Sequence, residues 1–364
     1  MRGYSLCLRA VLILCIVYFL LGIFRNWSST ELPKDIPVEA PPISKEKPPI
    51  TSPSDAIPDK WREYCQFLED PMHGWEAPRI EVSAMTTPYN RTLQSLTGVI
   101  SGFLYPQRAE LKRIFVNFSG NHFLCADEEA YCRCAKAGDW RKQYEEEYAQ
   151  FFKLRSPAGL QRKCQIFKEL PATSSFVDPW QFMDAMVGFY ICRRENLPCN
   201  ARGDCVSYGL MDEIYAETTR RGEQMFIDGP NYIAQRVQLA EANSVIGKWL
   251  HVIEAIQKDP EISQIKLLSA HDSTLGPLLR VLRILPQDPP RYASRVVLEV
   301  YSDPSNALYF RLLFNGEVFT EKLLFCREDS SDGLCAVEEL ENFYKAGLWK
   351  LSKEFSSFRV LCEP

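Results

Sequence analysis

Histidine is scarce in this sequence, which has four (His73, His122, His251 and His271) among 364 residues. Because imidazole is the commonest metal-ligating side chain, so few argue against a histidine-rich metal site. The sequence also lacks any Asp-x-Asp, the carboxylate pair with which a glycosyltransferase usually holds a metal-bound nucleotide sugar. No basic excess exists either, since the net charge is −5 and the pI is near 5.6, so nucleic acid is not an expected partner. We therefore predict no metal and no cofactor.

What is abundant is cysteine, with 13 residues in a chain of otherwise ordinary composition. Hydrophobic residues make up 46% and charged residues 24%, which is typical of a globular protein with a substantial core. So many cysteines with so few histidines favour disulfides over metal ligation, and disulfides indicate an oxidising compartment.

An apolar run over residues 10–24 follows Arg2 and Arg9 near the start of the chain. We interpret it as a transmembrane signal anchor of type II, with residues 1–9 as a cytosolic tail. A cleaved signal peptide has a similar charged start and apolar run, but no small-residue cleavage site follows this one.

Residues 25–60 form a predicted luminal stem, because eight prolines fall between positions 31 and 58 among Lys, Glu, Ser and Thr. Such a segment cannot bury enough apolar surface to fold, and proline stiffens it. Tail, span and stem are the layout of Golgi-resident enzymes, so we expect residues 61–364 to be luminal. Three sequons agree with this, and those at Asn90 and Asn117 are the expected glycosylation sites, since Asn26 lies too close to the membrane.

Strand and helix patterns divide the luminal region into three parts. Strands are predicted at 79–85, 264–270, 295–301, 308–314 and 318–324, and helices at 92–104, from 139, from 179, and at 231–258, 274–282 and 336–349. Between 108 and 262 the pattern is almost entirely helix and cysteine-rich loop. Strands on both sides of this helical segment predict an α/β domain with a helical insertion.

The segment Ser-Ala-His271-Asp272-Ser-Thr lies where a predicted strand meets a predicted helix. Unsatisfied N–H groups at a helix start attract an anion, a protonated His271 can hold a phosphoryl oxygen, and Asp272 can protonate a leaving alcohol. The alternative is local: Asp272 or Ser273 caps the helix and His271 forms hydrogen bonds nearby.

A second junction of strand and helix carries Arg91. Its guanidinium can bind a phosphate through two hydrogen bonds, assisted by the helix dipole. The alternative is a surface arginine above a capped helix.

These segments, read together, resemble a known family. TTPYNRTLQSLTGVISGFLYP, SAHDSTLGPLL and LYFRLLFNG are similar to successive landmarks of the histidine acid phosphatases, most of all their 2-phosphoxylose phosphatase branch. The cysteine loops at 125–134 and 192–205 resemble that branch as well, and the likeness covers roughly residues 75–364.

The resemblance implies a histidine-phosphatase-like mixed sheet flanked by helices, with an inserted helical cap at about 108–262. It implies hydrolysis of phosphomonoesters, namely 2-phosphoxylose in the linkage region of proteoglycans, by a Golgi membrane enzyme. Arg91 and His271 are then phosphate-binding residues, and Asp272 is the proton donor.

The family's nucleophile, a histidine within R-H-G-x-R-x-P, has no counterpart that we can identify. The nearest string is Met72-His73-Gly74-Trp-Glu76-Ala-Pro, in which both arginines are replaced. His73 lies only 18 residues before Arg91, too close for the intervening helix and loops, so it is a weak candidate and is expected in an exposed loop.

Two interpretations follow from this gap. Either the sequence is an incomplete form of an active phosphatase, which we favour, or the protein is an inactive pseudophosphatase that binds phosphorylated glycan in the secretory pathway. Eleven cysteines follow the apolar run, so at least one, for which Cys65 is our candidate, lacks an intramolecular partner. Cys326 and Cys335 are expected to close a small disulfide loop.

Overall fold

A parallel sheet and an antiparallel sheet organise the chain in the computed structural model. The structure describes residues 15–16, 80–103, 116–119, 136–155, 158–167, 179–228, 232–258, 263–284, 290–326 and 333–362, together with 124, 132, 134 and 170.

The parallel sheet has the strand order β1-β4-β2-β3. Its strands are β1 (Cys15–Ile16), β2 (Ile80–Thr86), β3 (Val116–Phe118) and β4 (Ser263–Ser269). β2 pairs with β4 along its whole length, from Ile80 opposite Ser263 to Thr86 opposite Ser269. Since both strands run in the same direction, their carboxyl ends lie side by side at one edge of the sheet.

Helices follow both central strands at that edge. α1 (Asn90–Phe103) follows β2, and α7 (Asp272–Val281) follows β4. α1 buries Leu96 against Ile265 and Leu267 of β4. The order strand, turn, helix therefore occurs twice, as β2 to α1 and as β4 to α7. The two turns lie side by side at the carboxyl edge of the sheet.

Among the described residues, five helices lie between β3 and β4. They are α2 (Ala137–Arg155), α3 (Ala158–Gln165), α4 (Pro179–Met186), α5 (Tyr208–Asp228) and α6 (Ile233–Lys258). A π-helical turn over Val187–Ile191 continues α4.

α6 is the central helix of the larger hydrophobic core, because most of its side chains are buried. At 26 residues it is about 39 Å long. It packs against α2 on one side and α7 on another, so α6 connects the helical segment to the helix that follows β4.

The antiparallel sheet contains β5 (Val296–Ser302), β6 (Leu308–Phe314), β7 (Glu317–Val318) and β8 (Cys335–Ala336). Asn315 and Gly316 form the tight turn before β7, and both have positive φ angles of 51° and 92°, as a type I′ hairpin turn requires. The predicted α/β class is confirmed, but the described strands form two sheets, one parallel and one antiparallel, instead of one mixed sheet.

Three sequence expectations need correction. The strand predicted at 318–324 ends at Val318. Phe319 N donates to Leu312 O, and the Thr320 hydroxyl accepts from Leu312 N. The chain then continues as a 3-10 turn from Thr320. The helix predicted at 336–349 is α8 (Val337–Asn342), followed by a π-helical turn and a 3-10 turn. A further helix that the sequence patterns did not predict, α9, spans Phe358–Cys362. Within the range 108–262, predicted as almost entirely helix and cysteine-rich loop, the described residues also include the short strand β3.

Disulfides join distant and nearby parts of the described chain. Cys134 is bonded to Cys362, 228 positions away, and Cys199 to Cys205. Cys326 and Cys335, the pair expected from the sequence, are bonded to each other with both side chains buried. Cys65 lies outside the described residues.

No helix in the described part of the chain is long and apolar enough to cross a membrane. Of the predicted anchor at 10–24 the structure describes Cys15–Ile16 alone, which pair with Leu267 and Leu268 of β4. These two residues cannot pair with β4 as a strand and lie in a membrane-spanning helix at the same time. The tail at 1–9 and the stem at 25–60 lie outside the described residues.

Candidate active site

The carboxyl edge of the parallel sheet brings His271 to the start of α7. Its backbone is extended, with φ −118° and ψ 164°, and the side chain is only 3% exposed. The carbonyl of His271 accepts hydrogen bonds from the N–H groups of Thr274 and Leu275 at 2.9 and 3.0 Å. The first turn of α7 therefore fixes the histidine backbone, and the imidazole contacts the residues that follow β2.

Arg91, in the first turn of α1, reaches that imidazole directly. Its Nη2 lies 3.1 Å from Nδ1 of His271. The guanidinium also lies over the ring of Tyr89, 4.8 Å from its centroid. The same ring meets the imidazole edge-on, with centroids 5.0 Å apart and planes at 86°. Tyr89 thus contacts both groups and limits their movement.

A chain of hydroxyls holds the other nitrogen of the imidazole. Nε2 of His271 is 2.9 Å from the Thr87 hydroxyl, which is 2.9 Å from the Thr92 hydroxyl. The Thr92 hydroxyl donates to the carbonyl of Tyr89 at 2.8 Å. Thr87 and Thr92 are buried, so this chain is shielded from competing water.

The donors in this network assign the histidine tautomer. A guanidinium only donates, so Nδ1 accepts from Arg91 and Nε2 carries the proton that it donates to Thr87. The imidazole is therefore neutral in this arrangement, whereas the sequence led us to expect a protonated His271. A protonated ring requires that Nδ1 donate to an anion in place of accepting from Arg91.

Asp272 follows directly and is half-buried. Its Oδ1 accepts a hydrogen bond from the N–H of Ser273 at 2.8 Å. Burial raises the pKa of the Asp272 carboxyl, and the effect is opposed by that N–H and by the positive charges of Arg141 and Arg91. A carboxyl with a raised pKa keeps its proton to higher pH, which suits a proton donor.

The start of α7 differs from the expected anion site in one respect. The N–H groups of Ser273, Thr274 and Leu275 already donate to Asp272 or His271. The N-cap residue of α7 is His271, which forms no side-chain capping hydrogen bond, and Asp272 is the first residue of the helix. Direct hydrogen bonds to an anion would come from the Arg91 and His271 side chains, and the helix dipole would add its field.

The remaining predicted residues are two exposed asparagines and one histidine outside the described residues. His73 belongs to the undescribed part. Asn90 is exposed at the start of α1, and Asn117 is exposed on β3. Among the described residues, no group of three or more His, Cys, Asp and Glu side chains could hold a metal.

Sequence reasoning missed Thr87 and Tyr89. Thr87 and Tyr89 lie within the segment that singled out Arg91, but nothing in their order shows that they contact His271. The contacts of Thr87 and Tyr89 with His271 depend on the pairing of β2 with β4.

Comparison with known families gives the decisive observation. The sequence model of the histidine phosphatase superfamily, branch 2, matches residues 74–315. The chain belongs to this superfamily. Arg91, His271 and Asp272 all fall within the matched range.

The chain is also similar to curated proteins called 2-phosphoxylose phosphatase 1. It is 26% identical to the Xenopus tropicalis protein over 276 residues, covering 72% of this chain and 52% of the relative. For the human protein the identity is 26% over 288 residues, covering 76% and 56%. The chain therefore spans about half the length of the curated relatives it matches.

Two solved structures align with the chain at low identity. The phytase from Citrobacter braakii aligns with a TM-score of 0.47 at 12% identity, covering 93% of this chain and 97% of that one. The multiple inositol polyphosphate phosphatase of Bifidobacterium longum, in complex with inositol hexasulfate, aligns with a TM-score of 0.46 at 12% identity, covering 73% of each chain.

Proposed function

We propose that the cluster of Arg91, His271 and Asp272 is the phosphoryl site of a phosphomonoester hydrolase. The observation that carries this proposal is the 3.1 Å approach of Arg91 Nη2 to His271 Nδ1. The guanidinium and the imidazole converge there beside the Asp272 carboxyl, whose pKa is raised by burial. Membership of the histidine phosphatase superfamily supports the same conclusion.

Each residue has a distinct part in the proposed reaction. Arg91 supplies a permanent positive charge and hydrogen bonds to the phosphoryl oxygens. His271 takes up a proton at Nδ1. The resulting N–H donates a hydrogen bond to a phosphoryl oxygen on which negative charge grows in the transition state. Thr87 holds the ring in the orientation that this needs. Asp272 gives its proton to the oxygen of the leaving alcohol.

The nucleophile is the missing part of the reaction. Covalent phosphoryl transfer needs a histidine nitrogen that attacks phosphorus, and the chain contains no R-H-G string. Only His73 is followed by glycine, and Glu76 nearby would repel a phosphate. We therefore propose that turnover belongs to a form of this protein with an R-H-G-x-R segment, and that the 364-residue chain binds phosphate monoesters without hydrolysing them.

The similarity to proteins called 2-phosphoxylose phosphatase 1 supports 2-phosphoxylose as the substrate. We propose that this substrate lies in the glycosaminoglycan–protein linkage region. The similarity also supports a place in the secretory pathway, and the disulfides agree with an oxidising compartment. We propose a Golgi membrane protein with a tail at 1–9, an anchor at 10–24, a stem at 25–60 and a luminal phosphatase-like domain at 61–364, whose helical cap comprises roughly 108–262.

Membrane extraction tests the anchor. An anchor at 10–24 requires that Cys15–Ile16 leave their pairing with β4. The anchored protein stays in the membrane pellet at high pH in carbonate, and glycans on Asn90 or Asn117 make its migration sensitive to endoglycosidase. Release into the supernatant would support the pairing within the sheet and refute the anchor.

A phosphatase assay tests the proposed chemistry. The purified 364-residue protein is incubated with a simple phosphomonoester at acid and neutral pH, beside a form with an R-H-G-x-R segment inserted between residues 55 and 80. We expect turnover in the second protein only. Turnover in the first that disappears on His73→Ala would show that the M-H-G-W-E-A-P string supplies the nucleophile.

The inactive pseudophosphatase remains the second candidate, and the absence of R-H-G favours it. Sequencing of transcripts across the codons for residues 55–80 separates the two. A transcript that encodes R-H-G-x-R supports the enzyme. If every transcript matches the present sequence, the protein binds phosphorylated glycan without cleaving it.

A further inference from the structure

An exposed loop closed by a disulfide lies between α4 and α5. Cys199 is bonded to Cys205, six positions along the chain, and the two residues also form an isolated antiparallel bridge. The residues between them read Asn-Ala-Arg-Gly-Asp. All residues at positions 201–205 are exposed. The loop therefore presents the tripeptide Arg-Gly-Asp at the surface of the protein.

Asn200 fixes the shape of this loop. Its backbone N–H donates to the carbonyl of Asp204 at 2.8 Å, and its carbonyl accepts from the N–H of Gly203 at 3.0 Å. Its side-chain oxygen accepts from the N–H groups of Arg202 and Asp204, both at 2.9 Å. Asn200 is itself buried, and its Nδ2 also donates to the carbonyl of Ile166 at 3.3 Å. The loop is thus held in one conformation and attached to the helical segment.

Gly203 lies between the two charged residues of the loop in a left-handed conformation, with a φ of 86°. Glycine adopts this conformation without steric cost. A Cβ at this position would meet no described atom within 4 Å. The backbone between Arg202 and Asp204 is therefore open to a partner.

The charged side chains on either side of Gly203 are available for binding. The Arg202 guanidinium forms no hydrogen bond or ion pair with the residues that the structure describes. Asp204 uses Oδ2 to accept a hydrogen bond from Nδ2 of Asn200 at 3.0 Å, and its Oδ1 has no partner in the described part of the chain. A cation and a carboxylate oxygen therefore stand two positions apart on a closed loop, and neither is neutralised by an ion pair there.

Each of these two charges selects a complementary group in a partner. A guanidinium forms paired hydrogen bonds with a carboxylate, and a carboxylate oxygen is a ligand of Mg²⁺ or Ca²⁺. We propose that the loop Cys199–Cys205 is a docking site for an integrin-type receptor, which combines an acidic pocket for Arg202 with a protein-bound divalent cation for Asp204. Because the disulfide and Asn200 order the loop before binding, docking costs little conformational entropy.

The disulfide of the loop agrees with a partner outside the cytosol. Disulfides persist in the secretory pathway and at the cell surface, and are rare in the reducing cytosol. The docking site shares no residue with the cluster of Arg91, His271 and Asp272. The outcome of its test is therefore independent of the proposed phosphoryl site.

Binding to a receptor ectodomain tests this proposal. The purified 364-residue protein is immobilised, and an integrin ectodomain that binds Arg-Gly-Asp peptides is passed over it in a buffer with Mg²⁺. We expect saturable binding that is lost in EDTA, which removes the cation, and that a soluble Arg-Gly-Asp peptide competes away. Asp204→Glu keeps the charge but displaces the carboxylate by one methylene, so it should weaken binding by about thirtyfold or more, as expected for a central interface residue.

Two further variants and a control complete the experiment. Arg202→Gln alters a side chain without contacts to the described residues, so it should fold normally and weaken binding by about tenfold or more. Replacing Cys199 and Cys205 by serine opens the loop and should weaken binding roughly three- to tenfold, because the loop must then be ordered on docking. Glu195→Gln removes an exposed carboxylate outside the loop and should leave binding unchanged.

Several results would overturn the proposal. These are absence of binding in Mg²⁺, binding that persists in EDTA, and affinity that is unchanged in both Asp204→Glu and Arg202→Gln. Circular dichroism checks the fold of each variant, and Arg202→Gln decides the matter if Asp204→Glu does not fold. Unchanged affinity after replacement of both cysteines would count against a docking loop that is ordered in advance.

Discussion

Arg91 Nη2 and His271 Nδ1 lie 3.1 Å apart although 180 positions separate the two residues in the chain. The pairing of Thr86 opposite Ser269 brings them together, because each residue follows its strand by a few positions. The Ser269 hydroxyl also donates to the carbonyl of Thr92 at 2.8 Å, which ties β4 to α1. The register of one strand pair therefore sets the geometry of the site.

The first prediction concerns the hydroxyl that orients His271. Thr87→Val keeps the shape of a buried side chain and removes its hydrogen bonds to Nε2 and to Thr92. An unsatisfied buried N–H costs about 1–3 kcal/mol, so we expect a lower melting temperature and roughly three- to tenfold weaker phosphate binding. Calorimetric titration with phosphate and a thermal melt measure both.

Thr97→Val is the matched control, because this exposed hydroxyl of α1 contacts only the carbonyl of Leu93. It should change neither quantity appreciably. If Thr87→Val binds phosphate like the unaltered protein, Thr87 does not orient the imidazole for the ligand.

The second prediction concerns Asp272 in a form that carries the R-H-G-x-R segment. Asp272→Asn removes the proton donor, so kcat for an alkyl phosphate should fall by about 10²- to 10⁴-fold. The loss should be much smaller for 4-nitrophenyl phosphate, since nitrophenolate leaves without a proton. Steady-state assays with the two substrates make this comparison, and an equal loss on both would refute the role of Asp272 as general acid.

The third prediction concerns the pH dependence of stability at Glu241. Burial raises its pKa from 4.5 to about 8, so between these values the unfolded chain loses a proton that the folded chain keeps. The contribution of Glu241 to the free energy of unfolding therefore falls as pH rises, by at most about 1.4 kcal/mol per pH unit. Above pH 8 the contribution is constant.

Glu241→Gln removes this titration. The melting temperature of the variant, relative to the unaltered protein, should increase steadily from pH 5 to pH 8 and then level off. Thermal melts across pH 5–9 measure the difference. A difference that is the same at every pH would mean that Glu241 is already ionised in the folded protein.

The fourth prediction concerns the disulfide between Cys326 and Cys335, which closes a loop of nine positions. Replacing both cysteines by serine should lower the free energy of unfolding by about 2–4 kcal/mol. Peptide mapping without reduction should recover the two cysteines in one linked fragment. Alkylation of both in the native, unreduced protein would show that the bond does not form.

The periodic elements could be predicted closely from the sequence. The helix expected at 231–258 is Ile233–Lys258, and the strand expected at 264–270 is Ser263–Ser269. Such elements carry their own hydrophobic periodicity. The segment at 318–324 has the composition of a strand, but hydrogen bonds to Leu312 end it after Val318.

The candidate site could be predicted only in part for the same reason. His271, Asp272 and Arg91 stand at junctions of strand and helix, which leave a local signal. The contact of Thr87 with His271 spans 184 positions. Contacts of this kind depend on packing between elements, and no pattern within either segment shows them.

Binding of inorganic phosphate and orthovanadate to the purified 364-residue protein tests the central claim most directly. Isothermal titration calorimetry should detect binding of both, weakened at least tenfold by Arg91→Ala and by His271→Ala, because each variant loses a hydrogen bond to the anion. Lys345→Ala, which removes an exposed cation on a distant turn, should leave binding unchanged. If the unaltered protein binds neither anion, or if binding survives both Arg91→Ala and His271→Ala, this cluster is not a phosphoryl site.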